Sequence, residues 1–200
     1  SDKDRMYRVL GRIRRFQREH GSRQVQGRWA YAKRLNTELG KKIAREIVFY
    51  ASENRADVIV FEYLEMKGKL SGKKKQKLQM WRKRDIQKRC GQQAHRKGIR
   101  ISRICAWNTS RLAFDGSGKI DRDIQDHRLC TFQNGKRYNC DLSASYNIGA
   151  RYFIREILKP LPATERSLLE AKVPAVKRRT SCVYADLRDL ISEMELRKAA

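Results

Sequence analysis

The stretch Asp57-Val58-Ile59-Val60-Phe61-Glu62-Tyr63-Leu64-Glu65 decides the fold class of this chain. Val58 to Phe61 is an unbroken apolar run of β-branched and aromatic residues, preceded by the turn-like Asn54-Arg55-Ala56-Asp57. A short run of this composition predicts a strand covered on both faces. The run ends on a carboxylate. Active sites of open α/β sheets form at the C-terminal ends of strands, so Glu62 reads as a site residue rather than a solvated charge. Glu65 falls in the loop beyond, where a solvent-facing charge is the simpler account.

Downstream lies a basic loop, Lys67 to Lys75, and then a predicted helix over 76–97 with Leu78, Trp81, Ile86 and Cys90 inward. Gly98 ends it, and Ile99 to Ala106 reads as a second strand. Two strands joined by a crossover helix predict a mixed α/β sheet. Upstream, residues 3–19 carry Met6, Leu10, Ile13 and Phe16 at helical spacing among many arginines. Gly21-Ser22 breaks that segment. Residues 24–54 follow as a long helix with an inward stripe of Leu35, Leu39, Ile43, Ile47 and Ala51. The charges of this basic helical hairpin are either solvated or set to track phosphates.

Residues 107–139 are loop-like, with turn signals at Asp115-Gly116-Ser117-Gly118 and Asn134-Gly135 that predict a small hairpin. Asp121, Asp123 and Asp126 read there as solvated or as partners of nearby arginines. Trp107 suits either a core position or base stacking. Asp141 opens a predicted helix to about Leu158, with Leu142, Tyr146, Gly149, Phe153 and Ile157 on one side, and Pro160 and Pro162 end it. A last helix near 184–198 follows the basic run Lys177-Arg178-Arg179.

The chain has 200 residues, with 47 Lys and Arg against 22 Asp and Glu, a formal charge of +25. Self-repulsion of that size calls for a polyanion, and basic residues spread along the whole length point to nucleic acid. The alternatives are a solvated basic surface or an acidic membrane surface; no stretch of 18 apolar residues is present, so no membrane span is expected, and the partner expected is nucleic acid, not membrane. Five irregularly spaced cysteines argue against a disulfide framework and for a reducing compartment, the cytoplasm.

Metal-assisted phosphodiester hydrolysis needs acids on rigid elements that converge in space. Glu62 and Asp141 are the candidates, as catalytic and as Mg2+ (or Mn2+) ligands in a two-metal site. For Asp141 the competing account is structural, because Asp is a favoured helix N-cap. Ser143, Ser145 and Asn147 make that helix end polar enough to face a site. Lys67, Lys69, Lys73, Lys74, Lys75, Arg82 and Arg84 are candidate phosphate contacts beside Glu62, or simply a flexible charged loop. Cys105, Cys130, Cys140 and His127 supply four potential zinc ligands, but they lack paired spacing, so a metal-free hairpin is expected.

Val58-Ile59-Val60-Phe61-Glu62-Tyr63-Leu64 resembles the second RuvC motif of the transposon-encoded TnpB nucleases and the related type V CRISPR effectors. Cys140-Asp141-Leu142-Ser143-Ala144-Ser145-Tyr146-Asn147-Ile148 resembles their third motif, Ala-Asp-x-Asn-Ala-Ala-x-Asn-Ile, with Ser143 and Ser145 departing from it. Thr109-Ser110 resembles the opening of the family's zinc-ribbon insertion, but no Cys follows it and one Cys, Cys130, stands where the second pair belongs. The resemblance covers roughly residues 24–158.

It implies an α/β, RNase H-like (RuvC) fold and RNA-guided DNA cleavage, with DNA target and guide RNA as partners in a bacterial cytoplasm or nucleoid. Glu62 and Asp141 would be two of three metal-binding acids. The third, an Asp on the first strand, is expected upstream of Ser1 with the first three strands. The chain is thus expected to be the C-terminal part of a longer nuclease, or a split or decayed one, completed in cis or trans by its N-terminal part and inactive alone. The implied organisation is a basic helical segment (1–55), a core strand-helix-strand (56–106), a degenerate zinc-ribbon-like insertion (107–140), a helix bearing the third motif (141–160) and a helical extension (161–200). The alternative is a nuclease-dead or accessory nucleic-acid-binding module of the same descent.

Overall fold

The computed structural model describes residues 2–22, 25–63 and 83–199, without the side chains of Lys3 and Lys83. The architecture is mixed α/β and mostly helical. In order it runs α1 (Asp2–His20), α2 (Gln26–Glu53), β1 (Val58–Tyr63), α3 (Lys83–His95), β2 (Arg100–Cys105), β3 (Asp121–Arg122), β4 (Leu129–Thr131), β5 (Arg137–Asn139), α4 (Cys140–Leu158), α5 (Ala163–Lys172), a 3-10 helix (Pro174–Arg178) and α6 (Tyr184–Ala199). The described residues divide into two compact units, 2–59 with 83–101 and 60–63 with 102–199. The division falls within β1 and β2, which pair as a two-stranded sheet.

In the first unit, α1 packs on α2 through Met6, Leu10 and Leu35, flanked by Val9, Trp29 and Leu39. The face α2 buries is shifted from the expected stripe: Leu35 and Ala51 are buried and Leu39 and Ile47 half-buried as expected, but the stripe is not its centre. Ala32, Asn36, Gly40, Ala44, Val48 and Ala51 are buried at helical spacing, whereas Ile43 is 41% exposed. The reason is the neighbour. Small side chains let α3 approach closely, near enough for the Cys90 thiol to reach the Ala44 carbonyl at 3.7 Å. Gly98 stops α3 at φ +70°, a left-handed conformation that costs other residues. In this position its N–H reaches the carbonyl of His95 at 3.1 Å.

β1 departs from expectation in one respect. Val58 to Glu62 are half-buried and Tyr63 is exposed, so the apolar run is not covered on both faces. Among the described residues β1 has a single strand neighbour, β2, which leaves part of each side chain accessible.

In the second unit, β3, β4 and β5 form an antiparallel meander, with Arg122 opposite Cys130 and Cys130 opposite Tyr138. Asn134-Gly135 turns the chain between β4 and β5, with Gly135 at φ +83° and the Phe132 N–H donating to the Lys136 carbonyl at 2.9 Å. Ala113, Cys130, Phe132 and Cys140 form a small core there. A second core joins Ala150, Ile154 and Leu158 of α4 to Leu169, Val173, Val176, Cys182, Leu187 and Leu190. The basic run Lys177-Arg178-Arg179 lies on and just after the 3-10 helix, and α5 is an element the sequence reading did not separate.

Candidate functional site

Glu62 and Asp141 both belong to the second unit. What joins their elements is a row of polar side chains on α4. Ser143, Asn147, Arg151 and Arg155 recur every fourth residue, so they share one face. Arg155 donates to the Ser102 hydroxyl at 2.7 Å and the Arg103 carbonyl at 3.3 Å. One turn earlier, Arg151 donates to the carbonyls of Cys105 at 2.9 Å and Trp107 at 2.7 Å. The Asn147 amide donates to the carbonyls of Thr109 at 3.0 Å and Leu112 at 2.9 Å. The Ser143 hydroxyl reaches the Leu112 carbonyl at 3.5 Å. Residues 102–112 therefore run antiparallel to α4 and are fastened at each successive turn. The C-terminal end of β2 is held at Arg151, ten residues and about 15 Å along α4 from Asp141 in its first turn, and Glu62 lies on the strand paired with β2.

This row corrects the expected orientation of α4. Ser143 and Asn147 are fully buried instead of lining a polar helix mouth, while Leu142 and Phe153 are 52% and 54% exposed. Ser145 stays outside, its hydroxyl on the Leu142 carbonyl. Buried polar groups are stable only when hydrogen-bonded, and these are bonded to loop carbonyls that lack secondary-structure partners. The Asn147 oxygen also accepts the Tyr184 N–H at 3.1 Å, which seats α6 on the same residue.

The capping account of Asp141 fails. The N-cap of α4 is Asn139, whose side-chain oxygen accepts from the N–H groups of Asp141 at 2.9 Å and Leu142 at 3.0 Å. Asp141 is exposed, and its carboxylate has no hydrogen-bond or ion-pair partner among the described residues. Glu62 is half-buried.

Lys67, Lys69, Lys73, Lys74, Lys75 and Arg82 lie outside the described residues, as do Glu65, Leu78 and Trp81; Arg84 is exposed in the first turn of α3. Trp107 is 67% exposed, so the core reading of this residue does not hold. Its backbone is nonetheless held by Arg151. Asp123 and Asp126 pair with Arg137 and Arg128. The Arg128 guanidinium and N–H hold the Asp126 carboxyl down at about 2.

The four potential zinc ligands do not gather. Cys130 and Cys140 share the small core, where burial pushes the Cys130 thiol up to about 11. Cys105 is exposed, and His127 faces the Asp123 carbonyl. Among the described residues no three His, Cys, Asp or Glu side chains form a metal-binding group.

Arg151 is the unusual member of the row. It is 2% exposed, and a third bond runs to the Cys182 carbonyl at 2.9 Å. Burial pulls its pKa down, while Cys182, Cys105 and Asp186 favour its charge. Asp186 accepts the Val183 N–H at 2.7 Å at the start of α6, and burial raises its pKa. That shift has a stability consequence. A raised folded-state pKa means that ionised Asp186 costs stability above that pKa, a cost that fades as pH falls through it toward the unfolded value near about 3.9. Asp186→Asn keeps the acceptor oxygen and removes the charge. The variant is expected to have a higher urea midpoint than the parent at pH 7, with the gap closing toward pH 4; a lower midpoint at pH 7 contradicts the sign.

No protein-family model and no curated protein matches this chain.

Proposed function

We propose that the chain is the C-terminal part of a RuvC-type, RNase H-like DNA endonuclease of the TnpB kind, hydrolysing phosphodiesters under RNA guidance. The observation that carries this reading is the seating of residues 102–112 on α4. It fastens β2 of the β1–β2 sheet to the second half of α4 through Arg151 and Arg155, on the helix whose first turn holds Asp141 exposed, with its capping role taken by Asn139. The chemistry of the donor set suits the metal. Two carboxylates are hard oxygen ligands of the kind that hold Mg2+ or Mn2+, which keep their remaining positions for water and phosphate oxygens. Scattered thiols and one exposed imidazole do not suit zinc, and no step is assigned to it.

In this reading Glu62 and Asp141 hold the metal, and a third carboxylate comes from beyond them. A divalent ion there supplies activation of water and stabilisation of the leaving oxygen. The chain's own contribution is rigidity. Asn139 fixes the first turn of α4, and the row from Ser143 to Arg155 fixes β2 against it. Partners on this reading are target DNA and a guide RNA in a bacterial cytoplasm, with the N-terminal part of the nuclease in cis or trans. No helix among the described residues is long and apolar enough to cross a membrane.

The second reading is a binding module of the same descent without catalysis. The observation favouring it is the formal charge of +25, which grips a polyanion without any metal. Cleavage of supercoiled plasmid by the protein expressed from its whole reading frame separates the two. Mg2+-dependent nicking that Glu62→Gln reduces by about 100-fold, some 2.7 kcal/mol of barrier, supports the nuclease. Full activity in Glu62→Gln sinks the site, and salt-sensitive DNA binding with no nicking in Mg2+ or Mn2+ favours the module.

A further inference from the structure

Helix α1 presents an arginine surface that the proposed site does not use. Its inner face is Met6, Leu10 and Ile13. Its outer face carries Arg5, Arg8, Arg12 and Arg15 in one row and Arg14 and Arg18 in a second, all exposed. The acids of α1 sit at its ends, Asp2 and Asp4 in the first turn and Glu19 near the last. Asp2 is taken by Lys42 at 2.8 Å, and Glu19 lies 3.9 Å from a His20 ring nitrogen. Arg5 bonds the Tyr31 hydroxyl at 3.3 Å, but among the described residues Arg8, Arg12, Arg14, Arg15 and Arg18 have no partner. Like charges at helical-neighbour spacing repel one another, so these rows destabilise α1 unless an anion answers them.

Gly11 is the second observation. By helical geometry it lies between the two rows, and a Cβ built on it meets nothing within 4 Å. Glycine in a helix interior destabilises it relative to alanine. No neighbour among the described residues requires a glycine here. A flat spot between two arginine rows suits a ligand that approaches the backbone closely.

We propose that α1 docks in the major groove of duplex DNA, with its two arginine rows on the phosphates of the two strands. The proposal rests on the nucleic-acid part of the function above but not on the metal. The groove, about 12 Å wide, admits an α-helix of about 10–12 Å diameter. The 19 residues of α1 give a length of about 28 Å, enough to follow the groove past several phosphates of each strand. The major groove of A-form RNA is too narrow to be entered this way.

The test is fluorescence anisotropy with a labelled DNA duplex of about two helical turns, using the full chain between about 50 and 200 mM salt. Replacing Arg8, Arg12 and Arg15 together with glutamine removes three phosphate contacts. The slope of log affinity against log salt is then expected to become shallower by about 2.7, so the variant loses about 40-fold less affinity over that range. Those residues are exposed and unpaired among the described residues, and a circular dichroism melt at or above the parent's confirms that the variant folds. Gly11→Ala gives an independent reading: a higher melting temperature with weaker DNA binding. An unchanged salt slope overturns the proposal, as does a parent that binds no duplex DNA. An effect confined to duplex RNA or to single strands overturns the major-groove placement. A slope change in the arginine variant without any Mg2+-dependent cleavage by the parent leaves this docking intact and sinks the metal site alone.

Discussion

Arg151→Ala is expected to lower the free energy of unfolding by about 3–5 kcal/mol, the largest stability loss from any single side chain of α4. Three carbonyls, those of Cys105, Trp107 and Cys182, lose their donor at once. An unsatisfied buried polar group costs about 1–3 kcal/mol, and water entering the vacated space recovers part of the sum. The lost side chain also leaves a void among well-packed neighbours. Arg151→Lys keeps the charge but offers one nitrogen where a fork served three carbonyls, so about half the loss is expected. Arg151→Met keeps most of the volume without any donor, and comparison with alanine separates the void from the hydrogen bonds. Urea unfolding followed by circular dichroism measures all three. A loss below about 1 kcal/mol in Arg151→Ala means that the row on α4 is not what fastens residues 102–112.

That row explains why part of the fold was legible in the sequence and part was not. Helices α1 and α2, the strands β1 and β2 and the turn at Asn134-Gly135 all follow from periodicity and turn chemistry at nearly their observed positions. The inward faces of α2 and α4 followed only in part, for related reasons. Hydrophobic periodicity assumes that the apolar stripe is the buried one. On α2 the buried stripe is small, Ala32 to Ala51, because its neighbour is another helix at close range. On α4 one buried face is apolar, with Ala150, Ile154 and Leu158, and the other is polar, because it lies against the end of β2 and a loop whose carbonyls need donors. The available signal was the recurrence of Ser143, Asn147, Arg151 and Arg155 at every fourth position, a stripe of donors instead of a stripe of carbon. The candidate site divides in the same way. Asp141 was visible as an acid at a helix mouth, but only the Asn139 contacts show that capping does not account for it.

Asp141→Ala is accordingly expected to separate catalysis from stability. Its carboxylate touches nothing among the described residues, so its loss removes only an interaction with the helix dipole, about 0.3–1 kcal/mol. Asn139→Ala, two residues earlier, removes two bonds to the first turn and is expected to cost about 1 kcal/mol or slightly more. On stability alone the cap variant is therefore the more damaging. In Mg2+-dependent cleavage the order reverses. Loss of a metal-holding carboxylate is expected to lower the rate by at least about 100-fold, whereas a loosened cap leaves the carboxylate in place and lowers it by less than about tenfold. The discriminating measurement is the pair of variants assayed side by side for urea midpoint and plasmid nicking. If Asp141→Ala nicks DNA as fast as Asn139→Ala, Asp141 holds no metal in the reacting complex. If it unfolds more readily than Asn139→Ala, its carboxylate has a structural partner, and its exposure at the head of α4 no longer argues for a site.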